Sequence, residues 1–330
     1  MRRPKIAPVV WRPAKAGARP KPSLPDLTVL AVHGHGTEDV VVDEAGHLFT
    51  GVGDGRILRL TADGRRLDIV ADTGGRPLGI ELFGDGRLLV CDAEKGLLLV
   101  DPAGGAVETL VPSGPAVRLC NNAAVTTDGT VYFTDSSARF PLEHYKADLI
   151  EHSGTGRLLR RDPDGSLETL LTGLQFANGV ALAPDESYVV IAQTGAYRLD
   201  KLWLRGARAG AMESLDDNLP AFPDNLATGS DGLIWVAMAS PRDRALDLAH
   251  RWHPAVRKAI WSLPERLQPK EKRTVWVRAV DGDTGAVVHE FYGTRPDFHM
   301  VTGVRERQGT VYLSSLGESA VATFTLDRHS

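Results

Sequence analysis

A chain of 330 residues, 42% of them hydrophobic, can bury a large core, and a formal net charge of −4 gives no overall field that would draw it to nucleic acid. Its 2 cysteines, Cys91 and Cys120, exclude a disulfide scaffold and, lying in apolar runs, read as buried free thiols. No apolar run approaches a membrane span or the roughly 7–15-residue core of a signal peptide, so no transmembrane span and a cytoplasmic location are expected.

Residues 1–25 are rich in Pro, Arg and Lys, with Val9-Val10-Trp11 as their apolar cluster, and read as a basic arm, mobile or wrapped on the surface, with a basic anchor as the alternative. From Asp26 the pattern turns β. Short apolar runs end at Gly, Asp or Pro turns, as in Gly55–Leu60, Thr61-Ala62-Asp63-Gly64 and Leu67–Val70. The same order returns at Gly96–Val100 and at Gly156–Arg160. Units of four short strands at a spacing of about 40–45 residues predict a propeller. Counting turns gives an all-β, six-bladed propeller over 26–330, with insertions in the third unit, from Ser136 to Ser153, and in the fifth, over 241–273.

One phrase recurs in each unit. A residue stands eight positions ahead of a turn, and the six such residues are Glu38, Leu78, Asn121, Asn178, Asp224 and Val301. Five of the turns carry Gly at the counted position; the fourth carries Glu186. The first strand of each blade lines the central channel, so equivalent positions form a ring at one end of it. Glu38, Asn121, Asn178 and Asp224 would converge there, with Asn225 beside them. Two carboxylates and two or three amides are hard oxygen donors, and the two carboxylates balance a divalent charge. They suit Ca²⁺, and less well Mg²⁺ or Mn²⁺, and argue against Zn²⁺ or Cu²⁺. His33, His35 and His299 lie near enough in sequence to reach the ring.

The stretch 241–273 in the fifth unit reads helical. Leu246, Ala249 and Trp252, then Val256, Ile260 and Leu263, recur at helical spacing, and Pro254 suits the first turn of a second helix. It is basic, and its readings are a surface helix pair, a lid over the ring, or an amphipathic element that touches a membrane.

Several of these segments carry a family likeness. Gln175–Asp185, Tyr197-Arg198 and Phe222-Pro223-Asp224-Asn225, with Val131–Ser137 and Asp92–Leu97, resemble the strictosidine synthase-like branch of the superfamily that also holds regucalcin, gluconolactonase and the paraoxonases. The likeness runs from about Leu27 to Leu326. It implies a divalent ion in the channel of a six-bladed propeller, with regucalcin-type Glu, Asn and Asp ligands falling on Glu38, Asn178 and Asp224. A further Asn falls on Asn121, and a paraoxonase amide on Asn225. Three positions depart. The paraoxonase histidine would fall on Leu78, a substrate-binding arginine of regucalcin on Leu119, and the strictosidine synthase glutamate near Val301 or Thr302.

The expectation is therefore a Ca²⁺-type metal-dependent hydrolase of lactones or related esters, acting on a lipophilic small molecule. Its metal ligands would be Glu38, Asn121, Asn178, Asp224 and Asn225, and Glu38, Asn121 and Asp224 would act on the substrate. The alternatives are a strictosidine synthase-like condensing enzyme and a non-catalytic, metal-stabilised binding or scaffold propeller.

Overall fold

The computed structural model describes residues 3–264 and 271–326. Of the spans assigned from sequence, residues 1–2 of the arm, 265–270 of the insertion and 327–330 of the propeller lie outside the described residues. The strands form six four-stranded antiparallel sheets. Innermost strand first, blade 1 is Val40–Val42, Leu48–Gly51, Arg56–Leu60 and Leu67–Asp72. Blade 2 is Pro77–Leu82, Leu88–Asp92, Gly96–Val100 and Val107–Pro112. Blade 3 is Cys120–Val125, Val131–Asp135, Gly156–Arg161 and Leu167–Leu174. Blade 4 is Ala177–Leu182, Tyr188–Gln193, Arg198–Trp203 and Met212–Asp216. Blade 5 is Ala221–Thr228, Ile234–Pro241, Val275–Val280 and Val287–Gly293.

Blade 6 closes the circle. It takes three strands from the end of the chain, Val301–Arg307, Thr310–Ser315 and Ala320–Thr325, and its outermost strand, Thr28–Ala31, from the beginning. Thr28 pairs with Thr323 and Ala31 with Ala320. The two ends are thus held in one sheet.

The continuous apolar runs follow from burial on both faces. In blade 5, Ile234, Val236 and Met238 pack with Val190 and Leu199 of blade 4. The intervening Trp235 and Ala237 pack with Val304 and Leu313 of blade 6. A strand buried on two sides has no polar face to alternate with.

Two insertions rise from the second-to-third-strand connections. In blade 3, a short helix α1 (Tyr145–Glu151) follows a single 3-10 turn. In blade 5, α2 (Arg244–Arg251) and α3 (Pro254–Ser262) form a corner. Asp243 caps α2 by accepting from the backbone N–H groups of Ala245 and Leu246, and Pro254 opens α3. Trp252 does not belong to the buried stripe that its spacing suggested. The chain turns extended there between the two helices, leaving Trp252 49% exposed, while Ala249 and Trp261 are buried.

Residues 3–24 carry no regular secondary structure, yet they are bonded along most of their length. Val9 N donates to Glu151 O and Trp11 N to His250 O. Trp261 Nε1 donates to Pro4 O, Arg251 to Pro13 O and Arg242 to Ala14 O. Ile6 sits in an apolar cluster with Phe140, Ala147, Ile150 and Trp261, drawn from both insertions. The arm ties α1, α2 and α3 into one roof.

Candidate active site

A bulge builds the floor of the channel. In blade 3, Cys120 pairs with Asp135 and Ala123 with Phe133, so three steps on the inner strand match two on its partner. The same break separates Pro77 from Ile80, Ala177 from Val180 and Pro223 from Leu226. In blade 6, Val301 pairs with Ser315 and Val304 with Leu313. In blades 2 to 6 each bulge holds two successive residues; blade 1 has no such break, and Glu38 and Asp39 stand directly ahead of its inner strand. The first members of these six pairs are Glu38, Leu78, Asn121, Asn178, Asp224 and Thr302, and all six line one cavity.

Thr302, not Val301, is therefore the sixth ring residue. The five earlier turns place residues 46, 86, 129, 186 and 232 at positive φ, eight positions after the ring, and Glu186 (φ 57) does there what glycine does elsewhere. In blade 6 both Gln308 and Gly309 have positive φ and Arg307 pairs directly with Thr310. That two-residue turn is one residue shorter, so counting back eight lands one position early. Val301 is instead fully buried between blades.

The second members read Asp39, Gly79, Asn122, Gly179, Asn225 and Gly303, alternately polar and glycine. Asp39 Oδ2 accepts from Ile80 N at 3.1 Å, and Asn122 Oδ1 from Val180 N at 2.9 Å, each tying its blade to the next. A Cβ on Gly79 would stand 2.6 Å from Asn121 O, and on Gly179 2.2 Å from Leu226 N, so both need glycine for close approach. Asn225 departs from the tie pattern. Its Nδ2 donates to Glu38 Oε2 at 3.0 Å.

The amides are held in one orientation. Ser136 Oγ donates to Ala177 O, so it can only accept from Asn121 Nδ2, at 2.8 Å. Thr194 Oγ1 donates to Pro223 O and accepts from Asn178 Nδ2 at 3.2 Å. With all three Nδ2 groups engaged, the Oδ1 atoms of Asn121, Asn178 and Asn225 are buried without a partner. Burial, then the charge of Asp224, pushes Glu38 up to about 8. Burial, then the nearby Asp39, pushes Asp224 up to about 7 against a hydrogen bond from Asn178. The floor is a concentration of oxygen atoms short of positive charge. Its donors are mostly amides, and among the described residues no three His, Cys, Asp or Glu side chains gather as a metal cluster.

Above the floor the cavity, about 200 Å³, is apolar. Its walls include Leu78, Phe176, Phe222 and Met300 from the propeller, Leu149 and Ile150 from α1, and Leu246 and Ile260 from α2 and α3. Phe176 and Met300 stand just ahead of their inner strands with φ 55 and 54, a left-handed conformation that bulky residues rarely adopt. Sequence reasoning missed them, because nothing in a sequence marks a strained Phe or Met. At one side Lys146 Nζ lies 2.9 Å and Tyr145 Oη 3.0 Å from Glu271 Oε1, joining the two insertions. His33, His35 and His299 do not line the cavity; His299 is bonded to Glu318 and Arg273 on the rim.

Comparisons with known proteins agree with this architecture. The strictosidine synthase family model matches residues 121–207, and the model for the N-terminal part of strictosidine synthase-like proteins matches residues 22–60. The adipocyte plasma membrane-associated protein of Rattus norvegicus is 32% identical over 308 residues, 84% of this chain and 80% of that protein. The chain belongs to the strictosidine synthase-like family. Strictosidine synthase-like 6 of Arabidopsis thaliana is 32% identical over 277 residues, 81% of this chain and 73% of that protein. The match to the adipocyte protein of Salmo salar, 36% identical, spans only 57% of that relative. Among solved structures, a gluconolactonase of Xanthomonas campestris superposes with a TM-score of 0.65 at 19% identity, covering 91% of this chain and 89% of that one. A calcium-binding regucalcin of Agrobacterium tumefaciens superposes with a TM-score of 0.62 at 13% identity, covering 91% of each. For the strictosidine synthase-like chain these likenesses establish the propeller fold.

Proposed function

We propose that this strictosidine synthase-like propeller hydrolyses lactones or related esters bearing apolar groups, with a divalent cation of the Ca²⁺ type held at the cavity floor. One observation carries the reading: the buried, partnerless amide oxygens of Asn121 and Asn178 line an apolar cavity together with the carboxylates of Glu38 and Asp224, and Asn225, whose amide oxygen is also without a partner, is bonded to Glu38 though it does not itself line the cavity. The donor set fits a hard cation. Glu38 and Asp224 would balance its charge, and the amides would complete the oxygen shell. Mg²⁺ or Mn²⁺ would fit the same donors less well. The likeness of the fold to gluconolactonases and to a calcium-binding regucalcin supports this direction.

When bound, such a cation polarises an ester carbonyl and stabilises negative charge on its oxygen. The chain supplies the rest. Leu246, Ile260, Phe176 and Met300 would hold the apolar part of the substrate and keep bulk water out. Water attacks the acyl carbon and gives up a proton to Glu38 or Asp224. The acyl–oxygen bond breaks, and the leaving alcohol takes a proton back. The condensing alternative gains nothing from the sixth blade, where a hydroxyl, Thr302, donates to Glu38 O at 2.7 Å. A panel of lactones and aryl esters, assayed before and after chelation and on return of Ca²⁺, tests the reading. Chelator-sensitive turnover supports it; silence across the panel with Ca²⁺ binding intact favours a non-catalytic binding propeller.

A further inference from the structure

The roof has two faces. Leu246 of α2 and Ile260 of α3 look into the cavity. The outer face of α2 reads Arg244, Leu248 and Arg251, exposed residues at helical spacing, and exposed Trp252 follows at its C-cap. Leu248 is 45% and Trp252 49% exposed. The arm, which ties the roof together, adds exposed apolar residues of its own, with Val9 55% and Val10 50% exposed. Trp11 N bonds to His250 O at 3.0 Å, and Arg251 bonds to Pro13 O at 2.7 Å, so residues 11–13 lie along the end of α2, while Val9 N bonds to Glu151 O at the end of α1. Elsewhere the exposed large apolar residues, such as Ile69, Val107 and Leu167, sit on the outer strands of different blades.

Charge is concentrated on the same elements. Residues 1–25 hold seven Lys and Arg and no Asp or Glu, and 241–273 hold nine against four, in a chain whose net charge is −4. Lys5 and Arg12 of the arm, Arg244 and Arg251 of α2 and Lys258 of α3 are exposed. An apolar centre with a basic surround is the pattern of an element lying in the interface of an anionic membrane: the apolar side chains enter the acyl boundary and the cations meet phosphate.

We propose that the outer face of the roof docks on anionic phospholipid bilayers, with Leu248, Trp252, Val9 and Val10 entering the lipid and Lys5, Arg12, Arg244, Arg251 and Lys258 at headgroup level. No helix among the described residues is long and apolar enough to cross a membrane, so this contact is peripheral. Docking stands independently of the hydrolytic reading. If both hold, an apolar substrate would reach the cavity from the bilayer on which its roof rests.

The test is cosedimentation of the full chain with vesicles of phosphatidylcholine alone and of equimolar phosphatidylcholine and phosphatidylglycerol. The wild type should prefer the anionic vesicles by about ten-fold or more, and lose that preference in high salt. The double variant Leu248→Glu, Trp252→Glu should weaken binding about ten-fold or more, and Arg244→Glu with Lys258→Glu should remove the anionic preference. These side chains are exposed, so an unchanged melting temperature checks the fold. Equal sedimentation with and without anionic lipid overturns the proposal. So does binding that the Leu248 and Trp252 replacements leave untouched. A wild-type dimer that those replacements abolish, with no vesicle binding, would make the face a contact between copies and also overturn it. Because turnover is never read, neither result bears on hydrolysis.

Discussion

Asn225 and Glu38, 187 positions apart in the chain, meet across the channel: the Asn225 Nδ2 donates to Glu38 Oε2 at 3.0 Å, and its Oδ1 is left buried without a partner. The contact uses one amide to satisfy a carboxylate and leaves its oxygen free. Asp224→Asn and Glu38→Gln each remove half of the balancing charge, and each should lower Ca²⁺ affinity by about 100-fold or more in calorimetry. In chelated buffer the same variants should melt at or above the wild type, because two carboxylates that face each other in a buried floor repel. Ca²⁺ binding equal to wild type in both would remove the ring from the metal reading.

Much of that floor is legible in the sequence. A polar residue recurring at one register before a turn needs only the propeller rule to become a ring, and Glu38, Asn121, Asn178 and Asp224 do line one cavity. The sixth position falls one residue off the count, because a count of residues assumes one turn length and the Gln308-Gly309 turn is shorter. The alternation of Asp39, Gly79, Asn122, Gly179, Asn225 and Gly303 was present in the sequence but has no meaning until a bulge brings two successive residues to the channel. The arm was illegible for another reason. Its partners are backbone carbonyls and side chains of the distant insertions, and such bonds leave no periodicity in the segment that makes them.

Phe176 offers a test of the cavity wall that separates strain from packing. At φ 55 it occupies a conformation that costs a non-glycine residue about 1–2 kcal/mol, while its ring is buried with Leu78 and Leu119. Phe176→Ala removes packing and keeps the strain, so a loss of about 3–5 kcal/mol is expected. Phe176→Gly removes both and should be less damaging than Ala, the reverse of the usual order for these two residues. Chemical denaturation compares them. In an aryl ester series, both should flatten the gain in kcat/KM with acyl chain length.

The roof contains a knot of buried rings with an acid limit. His152, left-handed at the end of α1, stacks on Trp11 with centroids 4.1 Å apart. His250 of α2 lies 5.5 Å from His152, with its Nδ1 3.0 Å from Arg257 Nη1. Burial first, then the Arg257 charge, lowers His152 to about 4 and His250 to about 3. The unfolded chain takes up these protons near 6.5. Stability is therefore complete above about 6.5 and falls as pH drops toward 4, at about 1.4 kcal/mol per pH unit for each histidine. His250→Gln keeps an acceptor for Arg257 and does not titrate. The stability difference between wild type and this variant should shrink by about that slope below pH 6.5. A difference independent of pH would mean that His250 is charged in the folded state.

The reaction class is the sharpest point at which family and residues part. Condensing an arylethylamine with an aldehyde needs a base beside the amine, and the family resemblance would put a glutamate on the sixth blade for it. The ring there carries Thr302, whose hydroxyl is committed to Glu38 O. The nearest carboxylate along that strand, Glu306, is buried and already accepts from Ser230 Oγ, Asp231 N and Gly309 N, so it has no free reach to the cavity. Hydrolysis asks for less: oxygen donors for a cation, a carboxylate for a proton, and an apolar wall. At least one lactone or aryl ester should therefore turn over, with activity lost in chelator and lowered about 100-fold or more by Asn178→Ala, while tryptamine and an aldehyde give no enzyme-dependent adduct by mass spectrometry. An adduct formed at rates that scale with protein concentration would reverse the assignment, and would direct attention to the Lys146 and Glu271 pair on the cavity side as the source of its proton transfers.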